Sequence, residues 1–333
     1  MIHPIPSGTR DVLPQETGEV RAITDTLRRV FDAHGYGEIY TPALEYESVL
    51  ARAELDEARP AYRVFDETGA VLVLRSDMTV PIARVVATRY AESRTPLRFC
   101  YFAHTYRGVR PQRGQLREML QGGIELIGSP APDGTAEALT VLSAALEAVG
   151  LKDFRIGLGD ASLFPALMES LDVDEAARAA LLEALVRRDF VELDLRLHEA
   201  GVSAASAELL LDVPQRRGGP ELLRDAPAPA VEAVTGMRRV HELLADDVAE
   251  RVIFDLGLVR NIGYYTGAVF EVYDPALGAP IGGGGRYDEL LGRFGRKLPA
   301  VGFALYVDSL HQALAGEERG TGIALAGAAR DAS

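Results

Sequence analysis

Gln121 and Glu125 lie four residues apart in an apolar stretch, residues 117–127, that reads as a strand, so both point to one face. A carboxylate on an otherwise apolar face is costly without a partner, which implies either a ligand or a buried hydrogen-bonded pair. Asp77 and Thr79 directly follow the compact apolar run 70–74. Polar groups there either face a site or cap the helix that begins near Pro81. The loop 107–117 carries Arg107, Arg110, Arg113 and Arg117. Such guanidinium groups can clamp a carboxylate or phosphate, and a solvated hairpin tip accounts for the same residues slightly better. The tract Gly282-Gly283-Gly284-Gly285, followed by Arg286, Tyr287 and Asp288, fits neither GxxxxGK[ST] nor GxGxxG. It reads as a segment that lets another backbone or a ligand come close, in preference to a phosphate cradle. Arg260 with Tyr264 and Tyr265 reads by itself as a turn with packed tyrosines. The histidines, at positions 3, 34, 104, 198, 241 and 311, show no metal-ligand spacing. No GxSxG element exists and Cys100 has no evident base, so no nucleophile, catalytic residue, metal site or cofactor is expected.

The frame around these residues is an ordinary globular chain of 333 residues, 47% hydrophobic and 25% charged. That length suits one large domain or two ordinary ones. Disorder, collagen and coiled coil are excluded for the chain as a whole. No apolar run reaches the roughly 20 residues that span a bilayer, and the first 16 residues do not read as a secretory leader. A single cysteine excludes an intramolecular disulfide. A cytoplasmic protein is the expectation, with no membrane. The net charge of −14, from 35 basic and 49 acidic residues, argues weakly against nucleic acid as a partner.

Apolar residues at spacings of three and four (Val20, Ile23, Leu27, Val30, Phe31) predict a helix that Gly35 and Gly37 stop. Residues 38–41 read as a short strand ended by Pro42. Residues 70–74, 97–106 and 117–127 read as strands, 81–90 and 135–149 as helices. From about 160 to 248 strand signals vanish, and a helical insertion is expected, interrupted by a loop at 214–220. Residues 251–256, 269–273, 282–285 and 300–306 return to β character. Residues 316–333 read as a loose, flexible tail. The expected class is α+β: a mostly antiparallel sheet flanked by helices, with a helical insertion, in one domain over 1–315.

Seven collinear segments resemble histidyl-tRNA synthetase catalytic domains. They are TRDVLP (9–14), GYGEIYTPALE (35–45), LRSDMTVPIAR (74–84), YRGVRPQRGQLRE (106–118), QGGIELIG (121–128), LVRNIGYYTGAVFE (258–271) and GGGGRYDELL (282–291). The resemblance implies the class II aminoacyl-tRNA synthetase-like fold and a self-dimer formed through the segment around Gly35 to Glu45. It also implies a histidine site. Glu125 and Asp77 would take the α-amino group or imidazole, with Thr79 and Gln121 alongside. Arg107 would meet the carboxylate, and Tyr264, Tyr265 and Tyr287 would line the side-chain pocket beside Arg260.

Departures from the family pattern point away from catalysis. The synthetases' anticodon-binding domain is expected to be absent. In GFALYVDSL (302–310), Ser309 stands where the family has an arginine that binds ATP phosphates. Val109 replaces an acid, and Gln115 replaces a further arginine. Adenylate chemistry must neutralise phosphate charge, so these losses should abolish it. A retained amino-acid pocket without ATP contacts resembles the regulatory subunits of ATP phosphoribosyltransferase. That likeness implies L-histidine as ligand and a short-form catalytic subunit as partner in a mixed octamer. It further implies activation of that subunit and feedback inhibition in the first step of histidine biosynthesis. The alternatives are a true histidyl-tRNA synthetase, or a synthetase-like protein with another regulatory or amino-acid-loading role.

Overall fold

A computed structural model describes residues 5–53, 61–108, 116–224, 227–258 and 263–318. The chain opens with helix α1 (Pro14–Ala33), which starts on a proline and ends before Gly35, whose φ of 80° closes the helix. Ile23, Leu27 and Phe31 form its buried stripe. Strand β1 (Gly37–Glu38), β2 (Leu44–Tyr46), helix α2 (Glu47–Arg52), β3 (Arg63–Phe65) and β4 (Val71–Leu74) follow. Helix α3 (Thr79–Arg89) leads to the long hairpin β5 (Leu97–Tyr106) and β6 (Glu118–Ile127), then to α4 (Asp133–Ala148) and β7 (Arg155–Asp160).

Next comes the insertion: α5 (Leu163–Glu169), α6 (Glu175–Val186), α7 (Phe190–Glu199), α8 (Ala204–Asp212), the two-residue strand β8 (Arg217–Gly218), α9 (Val231–Glu242) and α10 (Asp246–Ala249). Asp174, Asp189 and Ser203 cap α6, α7 and α8 by accepting backbone N–H bonds. The chain returns through β9 (Val252–Asp255), β10 (Ala268–Tyr273), β11 (Gly282–Arg286), α11 (Leu290–Arg293), β12 (Ala300–Tyr306) and α12 (Val307–Glu318).

Nine strands form one sheet in the order β1-β5-β6-β12-β11-β10-β7-β9-β8, and β2-β4-β3 form a small second sheet. Among the described residues, only β1 with β5 and β7 with β9 pair parallel. The large sheet is therefore mostly antiparallel, as the class requires. Period-two alternation divides its two faces. Cys100, Ile124, Leu126, Val301, Phe303 and Leu305 pack beneath α1, α4 and α12. Phe99, Tyr101, Ala103, Ile127 and Ala300 face α3 and α11 on the other side.

Three expectations are corrected. The strand read over 38–41 is only Gly37–Glu38. Buried Arg75 donates to the carbonyls of Thr41 (2.8 Å) and Pro42 (3.3 Å), which a longer strand would have offered to a neighbour. The supposed loop at 214–220 contains β8, which pairs with β9 and knits the insertion to the sheet edge. Residues 155–160 form the inner strand β7, whose Gly157 and Gly159 mask its β propensity in the sequence. The tail does not begin at 316. Leu310, Ala313 and Gly316 are the buried stripe of α12, and Glu317 accepts the backbone N–H groups of Lys152 (3.0 Å) and Asp153 (2.8 Å). The rest of that expected tail lies outside the described residues.

Candidate functional site

Sheet alternation builds the site before any ligand is considered. On the α3 side, β5 contributes Tyr101, β6 contributes Gln121 and Glu125, β11 contributes Gly283, and β12 contributes Gly302, Ala304 and Tyr306. The residues from β11 and the middle of β12 are small, so the sheet floor sinks there. A cavity of about 40 Å³ opens over it. Asp77 and Thr79 reach it from the start of α3, while Tyr264, Tyr265 and Tyr287 wall it from the loops before β10 and after β11. Arg107 stands exposed at the mouth, its guanidinium 5.9 Å from the ring centre of Tyr306.

Eight of the nine residues singled out in the sequence thus line one cavity: Asp77, Thr79, Arg107, Gln121, Glu125, Tyr264, Tyr265 and Tyr287. The ninth, Arg260, lies outside the described residues, as do Val109, Arg110, Arg113 and Gln115. The sequence reading missed Tyr101, Tyr306 and Gly302. Only the sheet register singles out Gly302: it stands directly opposite Glu125 in the β6–β12 pairing. A Cβ there would come within 1.9 Å of a Glu125 carboxylate oxygen, so the carboxylate occupies the space a side chain would need.

Glu125 is the centre of the site and is 2% exposed. Its Oε1 accepts from the Thr79 hydroxyl at 2.7 Å, and its Oε2 accepts from the Tyr287 hydroxyl. Burial pushes its carboxyl up to about 8, against the opposing pull of those two hydroxyls and with a further push from nearby Asp77. Burial first, then neighbouring carboxylates and phenols, also raises Tyr101, Tyr264 and Tyr287 well above their ordinary value, so they stay neutral. Tyr264 packs edge-on against both Tyr265 (5.3 Å) and Tyr287 (5.7 Å). Gln121 is 4% exposed, and its Oε1 is buried with no hydrogen-bond donor among the described residues. Asp77 does both things its position allowed: it lines the cavity, and its Oδ1 accepts the Val80 N–H at 3.1 Å to cap α3.

The chemistry of the cavity follows from this inventory. Its floor offers acceptors, an unsatisfied amide oxygen and a desolvated carboxyl; its walls are aromatic; its mouth carries a guanidinium. Such a site suits a small zwitterion with an N–H-bearing side chain. The glycine tract is no phosphate loop. It is strand β11, and at Gly284 a Cβ would stand 2.0 Å from the Gly302 carbonyl. Ser309 sits in the first turn of α12, next to Asp308, which holds Arg10. Among the described residues no cluster of three or more His, Cys, Asp or Glu side chains could hold a metal. No helix among them is long and apolar enough to cross a membrane.

Residues 8–310 match the sequence profile of the family described as Histidyl-tRNA synthetase. The chain is 43% identical over 320 residues to an ATP phosphoribosyltransferase regulatory subunit of Symbiobacterium thermophilum, covering 92% of this chain and 78% of that protein. Its fold is similar to a crystal structure described as an ATP phosphoribosyltransferase regulatory subunit/histidyl-tRNA synthetase from Bacillus halodurans. That match has a TM-score of 0.85 and 34% identity, over 94% of this chain and 84% of the other. A structure described as a Histidine--tRNA ligase subunit from Alicyclobacillus acidocaldarius matches with a TM-score of 0.80 and 33% identity, over 96% and 99%.

Proposed function

The chain belongs to the ATP phosphoribosyltransferase regulatory subunit family, a non-catalytic branch of the histidyl-tRNA synthetase-like proteins, and from that premise we propose that it senses L-histidine in the Glu125 cavity. Its regulatory role in histidine biosynthesis would then run through that ligand. The observation that carries the reading is the buried Gln121 Oε1, donorless among the described residues, in the same cavity as the desolvated Glu125 carboxyl. Both want N–H donors, which a histidine ammonium and imidazole supply, while Arg107 at the mouth matches the carboxylate. Arg260 is assigned to the same site by its place in the LVRNIGYYTG segment.

The partner is a short-form ATP phosphoribosyltransferase catalytic subunit, in a mixed octamer, which this chain activates and through which histidine inhibits. A subunit that binds a ligand without transforming it acts only by differential affinity between two states of an assembly. Self-dimerisation through the segment around Gly35 to Glu45 is supported by Tyr40 (78% exposed), with Leu44, Tyr46 and Phe65 exposed on the adjacent small sheet. Synthetase activity is opposed by Ser309, which has no positive charge for an ATP phosphate.

Calorimetry tests the ligand. Wild type binds L-histidine, and Glu125→Ala loses roughly 2–4 kcal/mol because the ligand's cationic amine is left unpaired in a partly dry pocket. Equal binding by both proteins removes the assignment. A catalytic subunit titrated with histidine, with and without this chain, tests the regulatory step; no change in rate, histidine response or complex size refutes it.

A further inference from the structure

A second cavity lies behind the first. Its volume is about 370 Å³, and it opens between the insertion (α5 and α9), the start of α4 and the ends of β10 and β11. The two cavities share their partition. Tyr264 and Tyr265 face the first, while Thr266 and Gly267, next in sequence, face the second; Tyr287 faces the first, and its neighbours Arg286 and Asp288 face the second. The Asp288 N–H donates to the Thr266 hydroxyl at 2.9 Å and ties the two halves of the partition together.

The far wall is kept open. Gly236 sits in the middle of α9, where glycine is less favourable than alanine. A Cβ there would stand 3.9 Å from Asp160 Oδ2 and begin to fill the space. Ala166, Ala233 and Ala268 are the other small lining residues.

The polar groups of this cavity differ in how far they are satisfied. Arg286, only 2% exposed, spends its donors on Asp288 (2.8 Å), the Ser129 carbonyl (3.1 Å) and the Thr135 hydroxyl (3.3 Å). Asp160 Oδ1 accepts from the Ser162 N–H (2.9 Å) and hydroxyl (2.5 Å). Its Oδ2 faces Gly236, and among the described residues it has no hydrogen-bond donor and no cation pairs with Asp160. Burial, with Glu232 adding to it, raises the Asp160 carboxyl. Asp160, Glu232 and Asp288 set three carboxylates against one guanidinium that is already paired. An anionic ligand would meet repulsion here. The carboxylates do not converge closely enough to form a metal cluster.

We propose that this second cavity is a binding site for a small organic cation, an alkylammonium or amine, whose N–H donors meet Asp160 Oδ2 and whose carbon chain lies against the alanine- and glycine-lined wall of α9.

The test is saturation-transfer NMR on the full chain with 1,4-diaminobutane and ethylammonium as probes and acetate as the anionic control. Transfer to the amines and not to acetate is expected. Asp160→Asn keeps an oxygen for Ser162 but loses the charge, and should weaken the diamine roughly 10- to 100-fold. Gly236→Leu fills the cavity from a position where the helix gains, and should abolish the transfer even if Asp160→Asn fails to fold. Glu125→Gln, in the first cavity, should leave amine affinity unchanged. The proposal is overturned if wild type gives no amine transfer, if acetate binds as well as the amines, or if Gly236→Leu retains the signal. A loss of amine binding in Glu125→Gln would likewise overturn it, by placing the amine in the histidine site.

Discussion

Glu125→Gln replaces a buried carboxyl with a neutral group of nearly the same shape, and its consequence has a definite sign. In the unfolded chain Glu125 loses its proton near 4.5, whereas in the folded protein it holds it to about 8. The folded pKa is the higher one, so between those values the native state binds more protons than the unfolded state, and stability falls as pH rises. At about 1.36 kcal/mol per pH unit, the gap is worth on the order of 5 kcal/mol at full extent, before relaxation of the pocket reduces it. Glu125→Gln removes this loss. Urea unfolding of the ligand-free proteins at pH 5, 6.5 and 8 should show wild type weakening relative to the variant by a few kcal/mol across that range. Histidine adds a second signature. Its ammonium favours the carboxylate form, so at pH 6.5 binding expels close to one proton from Glu125. Calorimetry in two buffers of different ionisation enthalpy should therefore show wild type releasing about one more proton than Glu125→Gln. Parallel stability profiles together with identical proton release would refute the placement of a desolvated carboxyl at the centre of the site.

Gly302→Ala forces a methyl group into the space of the Glu125 carboxylate and the Ile124 carbonyl, 1.9 and 2.6 Å away. It should cost roughly 1–3 kcal/mol of stability by denaturant titration and weaken histidine binding as well. Histidine-dependent pyrophosphate exchange into ATP should stay at background; turnover would mean that Ser309 is no obstacle to adenylate formation. Asp255→Ala removes the buried acceptor of Arg217 (2.8 Å) and of the Gly257 N–H (2.9 Å). Hydrogen exchange should then show early loss of protection in β8 and β9, with stability lower by about 1–3 kcal/mol.

Local pattern made much of this protein legible. The stripe Ile23, Leu27 and Phe31, the ten-residue strands β5 and β6, and the even spacing of Gln121 and Glu125 follow from side-chain periods of 3.6 and 2. The motif segments carried the family because their order along the chain is itself information. Other features depend on partners far apart in sequence. Nothing near Arg75 says that its guanidinium will take the carbonyls of Thr41 and Pro42 and end a strand there. Nothing within residues 214–220 says that two of them will pair with β9. The α12 stripe continues through Gly316 because a buried surface waits for it, against glycine's own preference. Residue types marked Glu125 as a carboxyl that needed a partner. Only the tertiary structure supplied Tyr287, 162 positions away, and the glycine-floored trough. Burial and the nearby Asp77 then raise its carboxyl: low dielectric penalises charge, and sequence distance says nothing about which groups will share that dielectric.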